Sequence, residues 1–242
     1  MIHKIIVMLF AGILMHTASP QTYEEDIFQT SRGPLKITFI GHGTLMFTWN
    51  GLVIHVDPVS REGDYSKLPK ANLVLITHEH GDHLDPSALS KIVTPETEII
   101  LTQRCYETYP HGHILHNGDE INLLGISILA VPAYNMIHHR PNGEPFHPKG
   151  VGNGYVVRFG DKTVYIAGDT ENIPEMKELS GIDIAFLPMN LPYTMTPEMV
   201  AEAARTFRPT ILYPYHYGNT NPQELVKLLQ NEDIEVRIRK MR

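Results

Sequence analysis

The sequence has a single cysteine, Cys105, which excludes an internal disulfide and turns attention away from thiolate metal sites. Charged residues are few, 19% of the chain, and the formal net charge is −7 with histidine neutral. No broad basic surface is therefore present to track a phosphate backbone, and nucleic acid is excluded as a first partner. Only one tryptophan occurs, and there is no internal repeat, low-complexity tract or linker. The longest apolar run, Ile5 to Met15, falls short of the roughly 20 residues that a membrane-spanning helix needs. Histidine is the residue in excess: fourteen of them stand in 242 residues. The 42% hydrophobic content is ordinary for one soluble domain with a sizeable core.

His3 and Lys4 precede that apolar run, and the small and polar Thr17-Ala18-Ser19-Pro20-Gln21 follows it. This order matches a cleaved signal peptide over residues 1–19, with a mature start near Ser19 to Gln21 and a secreted or periplasmic protein. Without a cysteine after the run, no lipid modification is expected, nor any stable membrane anchor after cleavage. Residues 20–32 read as a polar lead-in, and residues 33–242 as one domain.

Short apolar or alternating runs predict strands at Leu35–Ile40, Thr44–Trp49 and Leu52–Val56, the last two joined by the hairpin signal Asn50-Gly51. Leu73–Ile76 is wholly apolar and predicts a buried strand. A helix from Asp85-Pro86 to Ile92 follows, then strands near Glu98–Leu101, Ile121–Leu123, Ser127–Val131, Gly154–Phe159 and Thr163–Ala167. The last third alternates: helix Pro174–Leu179, strand Ile184–Leu187, helix Pro197–Phe207, strand Thr210–Tyr213, helix Pro222–Asn231, strand Glu235–Ile238. Thr196 before Pro197 supplies a side-chain cap and a proline in the first turn.

The stretch Thr77-His78-Glu79-His80-Gly81-Asp82-His83 leaves the buried strand at its C-terminal end. His78 and His80, two residues apart on a loop, can both turn toward one cation, while Asp82 and His83 can serve a second beside it. Imidazole and carboxylate together suit Zn²⁺, Mn²⁺ or Fe²⁺. His42 in Gly41-His42-Gly43, Asp169 in Gly168-Asp169-Thr170, and His216 in Tyr215-His216-Tyr217 also sit at expected strand ends.

These motifs, in this order, resemble the metallo-β-lactamase-fold hydrolases, over about Gly33 to Arg242. Gly41-His42-Gly43-Thr44, Val56-Asp57-Pro58 and Met195-Thr196-Pro197-Glu198 are similar to the branch containing ascorbate-6-phosphate lactonases and N-acylphosphatidylethanolamine phospholipases. The resemblance implies an α+β protein, a four-layered αββα sandwich with one or two metal ions at one sheet edge. It implies that His78 and His80 bind the first ion, that Asp82, His83 and His216 bind the second, and that Asp169 bridges both. Where that branch carries a Pro-x-x-His, this chain has Pro132-Ala133-Tyr134-Asn135, an amide in place of the imidazole. His147, Asn135 or water could complete the first site; His147 is favoured because it stands directly before the next strand, while His138 and His139 read as exposed loop residues.

The expected activity is hydrolysis of an ester, lactone or phosphodiester bond in a small-molecule or lipid substrate, by a metal-bound hydroxide. Asp82 would orient the hydroxide, and His42 would assist the leaving group. Asp57 would hold a ligating imidazole from behind. His55 is expected to be structural. The alternative is a non-catalytic metal-binding protein of the same fold, for which more ligand losses than one would be expected.

Overall fold

The computed structural model describes residues 22–242. The expected signal peptide, at 1–19, lies outside the described residues. Among the described residues, fourteen strands form two seven-stranded sheets. The first contains, in spatial order, β1 (Glu24–Thr30), β2 (Gly33–Gly41), β3 (Thr44–Trp49), β4 (Leu52–Val56), β5 (Leu73–Leu75), β6 (Glu98–Leu101) and β7 (His113–Ile114). The second contains β8 (Glu120–Leu123), β9 (Ile126–Ala133), β10 (Gly152–Phe159), β11 (Lys162–Ile166), β12 (Ile184–Pro188), β13 (Ile211–Tyr215) and β14 (Glu235–Val236). Both sheets begin as antiparallel meanders and become parallel: β4 to β7 in the first, β11 to β14 in the second.

Alternation along the strands builds the layers. Leu73 and Leu75 of β5 face a core shared by the two sheets, with Phe47, Trp49, Tyr155, Phe159 and Phe186. Val74 and the following Ile76 face outward, onto α1 (Pro86–Ile92) and Cys105 of α2 (Gln103–Thr108). On the second sheet Val164, Ile166, Ile184 and Phe186 point into the shared core. Tyr165, Ala185 and Leu187 point out, against α3 (Pro197–Phe207) and Leu225 of α4 (Pro222–Leu228). Three apolar interfaces between four layers make the αββα sandwich. Thr196 caps α3 by accepting from the Met199 N–H, with Pro197 at the start of the helix, as the sequence predicts.

Three expectations need adjustment. The polar lead-in at 20–32 contains β1, paired with β2 from Glu24↔Phe39 to Thr30↔Gly33. It is an edge strand, half-buried on alternate residues, so it lacks the apolar density that marks interior strands. Asp26 fixes it to the far end of the chain through Arg239, 2.7 Å from both carboxylate oxygens, and through the Tyr213 hydroxyl. The expected helix at Pro174–Leu179 is a single 3-10 segment, Pro174–Glu178, and α4 ends at Leu228 rather than Asn231.

Parallel neighbours end at the same edge of a sheet. The loops leaving β4, β5, β11, β12 and β13 therefore open together, and Asp57, His78, Asp169, Asn190 and His216 all lie just beyond those ends.

Candidate metal centre

Asp57 follows β4 with φ 44°, a left-handed bend that turns its carboxylate across to the next loop. One oxygen accepts the Thr77 backbone N–H at 2.8 Å; the other accepts the Thr77 hydroxyl at 2.7 Å and lies 2.8 Å from His83 Nδ1. Asp57 and His83 are both wholly buried. Because an ionised carboxylate can only accept, His83 donates from Nδ1 and presents Nε2 on the opposite side. The loop turns tightly, with the His83 and Leu84 N–H groups both bonded to the His80 carbonyl. Gly43 permits this placement, since a Cβ there would stand 2.8 Å from His83 Cε1.

Three overlapping groups result. His78, His80 and His147 bring ring nitrogens within 4.8 Å of one another, and so do the donor atoms of His42, Asp82, His83 and His216. His78, His83 and Asp169 form the third. Asp169 joins the first two: Oδ2 is 3.3 Å from His147 Nε2 and 3.4 Å from His216 Nε2, and Oδ1 is 3.5 Å from His83 Nε2. Asp82 Oδ2 lies 3.3 Å from His42 Nε2 and 3.6 Å from His216 Nε2. Every residue expected from the sequence as a metal ligand is thus brought to one place.

Asn135 lies beside His147. Its side-chain oxygen accepts the His147 backbone N–H at 2.8 Å and faces Nδ1 at 2.7 Å, while its NH₂ donates to Glu171 and to the Tyr193 carbonyl. With both ends of the amide occupied, Asn135 orients His147. Glu171, which sequence reasoning missed, is almost wholly buried and accepts the consecutive backbone N–H groups of Met136, Ile137 and His138 at 2.6–2.7 Å. Its position directly after Gly168-Asp169-Thr170 was the available signal. His138 stands against Glu171, and His139 is exposed, its ring bonded to the Ile137 carbonyl.

Burial costs charge here, and the neighbours decide who keeps it. Burial, reinforced by adjacent imidazoles, pushes His78 and His80 below the ordinary histidine value, toward the neutral form that ligates. Burial also opposes the charge on His83, but the Asp169 and Asp57 carboxylates outweigh it and raise its pKa. Asp169 and Asp82, despite burial, are held well below the carboxylate range by the histidines around them.

The donor set fits a transition metal. His83 Nε2, Asp169 Oδ1 and both ring nitrogens of His216 are buried without a hydrogen-bond partner among the described residues. Such orphaned groups are costly unless something else satisfies them. A nitrogen-rich set with carboxylates suits Zn²⁺, Mn²⁺ or Fe²⁺.

Comparison with known proteins gives a consistent result. Residues 36–216 match the β-lactamase superfamily domain. A UPF0173 metal-dependent hydrolase from Methanopyrus kandleri is 32% identical over 203 residues, covering 78% of this chain and 87% of that protein. One from Pelotomaculum thermopropionicum is 30% identical over 200 residues, covering 78% and 86%. A solved structure of a candidate metal-dependent hydrolase from Parabacteroides distasonis is 50% identical, with a TM-score of 0.88 over 91% of this chain and all of that one. A metallo hydrolase from the archaeon Ignicoccus hospitalis is 25% identical, with a TM-score of 0.69 over 86% and 95%. These relatives support the superfamily rather than the lactonase and phospholipase branch.

The expectation of a signal peptide and a secreted or periplasmic protein is corrected. The hydrolase character, the metal-binding groups and the fold stand on these likenesses and on the histidine and aspartate clusters. The relatives are matched as metal-dependent hydrolases and lend no support to an exported precursor, and residues 1–21 are outside the described structure. Among the described residues no helix is long and apolar enough to cross a membrane.

Proposed function

Since the chain belongs to the metallo-β-lactamase superfamily and is a metal-dependent hydrolase, we propose that it holds two ions, Zn²⁺ foremost, and cleaves an ester, lactone or phosphodiester bond in a small molecule. His78, His80 and His147 would hold the first ion and Asp82, His83 and His216 the second, with Asp169 between them. The single observation that carries this reading is the position of Asp169, whose two oxygens lie 3.3–3.5 Å from histidines of both groups.

When bound, such ions polarise a carbonyl or phosphoryl oxygen and lower the pKa of water toward about 7. The chain's own residues do the rest. Asp82, ionised and partly exposed at the cavity wall, accepts a hydrogen bond from the attacking water and fixes its direction. His42, whose Nε2 faces Asp82 at 3.3 Å, would turn that N–H to the oxygen of the departing group. Asp57 holds His83, and Asn135 holds His147, so that neither ring turns away from the centre. Hydrolysis joins the water oxygen to the carbonyl or phosphoryl centre and breaks that centre's bond to the alcohol oxygen; one water proton ends on the alcohol and the other goes with the acid product or to solvent.

Activity of the metal-loaded protein against a panel of esters, lactones and phosphodiesters, with and without chelator, tests this. Cleavage of at least one class that chelation abolishes and zinc restores is expected. Chelator-insensitive cleavage, or none with metal bound, would overturn it.

A further inference from the structure

The cavity at the metal-binding groups has a volume of about 400 Å³ and is walled on its outer side by Arg140, Phe146, Asn190 and Tyr193. Arg140 sits on a closed turn: its N–H donates to the Glu144 carbonyl at 2.7 Å, and its own carbonyl accepts the Gly143 N–H at 2.9 Å. The guanidinium lies 5.1 Å from the centre of the Phe146 ring and donates one N–H, at 3.3 Å, to the Phe146 carbonyl. No carboxylate of the described residues lies within 4.0 Å of it. A guanidinium has five N–H donors in a rigid fork that matches an oxyanion. Here the fork is held in place with most of its donors unspent.

The wall beside it is apolar. Phe146 and Tyr193 meet edge to face at 5.1 Å. Four of the six large apolar side chains exposed among the described residues, Met136, Ile137, Leu191 and Tyr193, stand on the two loops that carry these rings. The Asn135 to Tyr193 hydrogen bond joins the loops. Among the described residues that line the cavity, Arg140 is the one permanent cation.

We propose that Arg140 is an anion subsite, and that the substrate is an amphiphilic acid: a compound with a carboxylate or phosphate bound at Arg140 and an apolar portion lying on Phe146 and Tyr193. This rests on the reading of the neighbouring centre as a hydrolytic site.

Binding of octanoate, octyl phosphate and octanamide to the zinc-loaded protein, by calorimetry, tests the proposal. Both anions should bind wild type at least tenfold more tightly than the neutral amide, and which of them binds better identifies the oxyanion. Arg140→Gln should weaken both anions by roughly ten- to a hundredfold, as expected for a lost charge-assisted pair, while leaving the amide and the zinc content unchanged. Arg140→Lys, which keeps the charge and loses the fork, should fall between. Equal affinity of acid and amide for wild type, or anion binding unaltered in Arg140→Gln, would overturn it. If Arg140→Gln also loses zinc, the Lys variant decides: no weakening there overturns the forked subsite. Selective anion binding without any ester, lactone or phosphodiester cleavage would remove the proposed reaction and leave the subsite standing.

Discussion

The side-chain oxygen of Asn135 lies 2.7 Å from Nδ1 of His147, while Nε2 of the same ring stands 3.3 Å from Asp169. The amide thus does for His147 what the Asp57 carboxylate does for His83: it holds one ring nitrogen so that the other faces the centre. A chain with no histidine at position 135 keeps an imidazole in the site by turning the later loop inward.

His147→Ala should therefore cost one ion and hydrolysis together. Asn135→Ala should keep both ions but release the first more readily, by roughly ten- to a hundredfold in affinity. Competition with a chromophoric chelator measures both. If Asn135→Ala loses an ion outright and His147→Ala does not, the roles are reversed.

Asp57→Asn should weaken the second ion by roughly ten- to a hundredfold with the fold retained, because the amide oxygen can still accept the Thr77 N–H while the NH₂ end no longer accepts from His83 Nδ1. Circular dichroism together with zinc affinity would separate this from misfolding. An unchanged zinc affinity would contradict the role given to Asp57.

Acid should destabilise the fold through His55. This ring is wholly enclosed, bonded through Nε2 to the Pro69 carbonyl at 3.1 Å, and burial lowers its pKa to about 4. The unfolded chain binds the proton near the ordinary 6.5. The neutral form's stability is therefore present above pH 6.5, is lost as pH falls toward 4, and is gone below that. The whole span is at most about 3 kcal/mol. Urea titrations between pH 7 and 4 should show a shallower decline for His55→Gln than for wild type; parallel curves would refute it.

Much of the fold was legible because period-two runs and single apolar strands announce themselves. Leu73–Ile76 reads as a buried strand from its four apolar residues, and the structure places those residues alternately on two cores. Strand β1 was missed because its half-buried alternation is polar, and what holds it, the Asp26 cluster with Arg239 and Tyr213, comes from residues about two hundred positions away. In the site, His78 to His83 could be read directly from spacing. Glu171 had only its place after Gly168-Asp169-Thr170 to mark it, and Arg140 and Phe146 had no such signal, since loop residues acquire meaning only when the loop's path is known.

Asp26→Ala should destabilise the protein by about 1–3 kcal/mol, since it leaves Arg237 and Arg239 without their shared carboxylate and unfastens β1. Denaturant midpoints would report it. A change below about 0.5 kcal/mol, the ordinary range for surface substitutions, would show the cluster to be decorative.

If two histidine groups share Asp169 and hold one ion each, the metal content must follow the groups. Elemental analysis of zinc-reconstituted protein tests it most directly, in wild type beside His147→Ala, His83→Ala and Asp169→Ala. The expected result is about two ions in wild type, about one in each histidine variant, and the weakest retention of both in Asp169→Ala. A wild type that takes up no metal, or a single histidine substitution that empties both sites at once in a folded protein, would contradict the account.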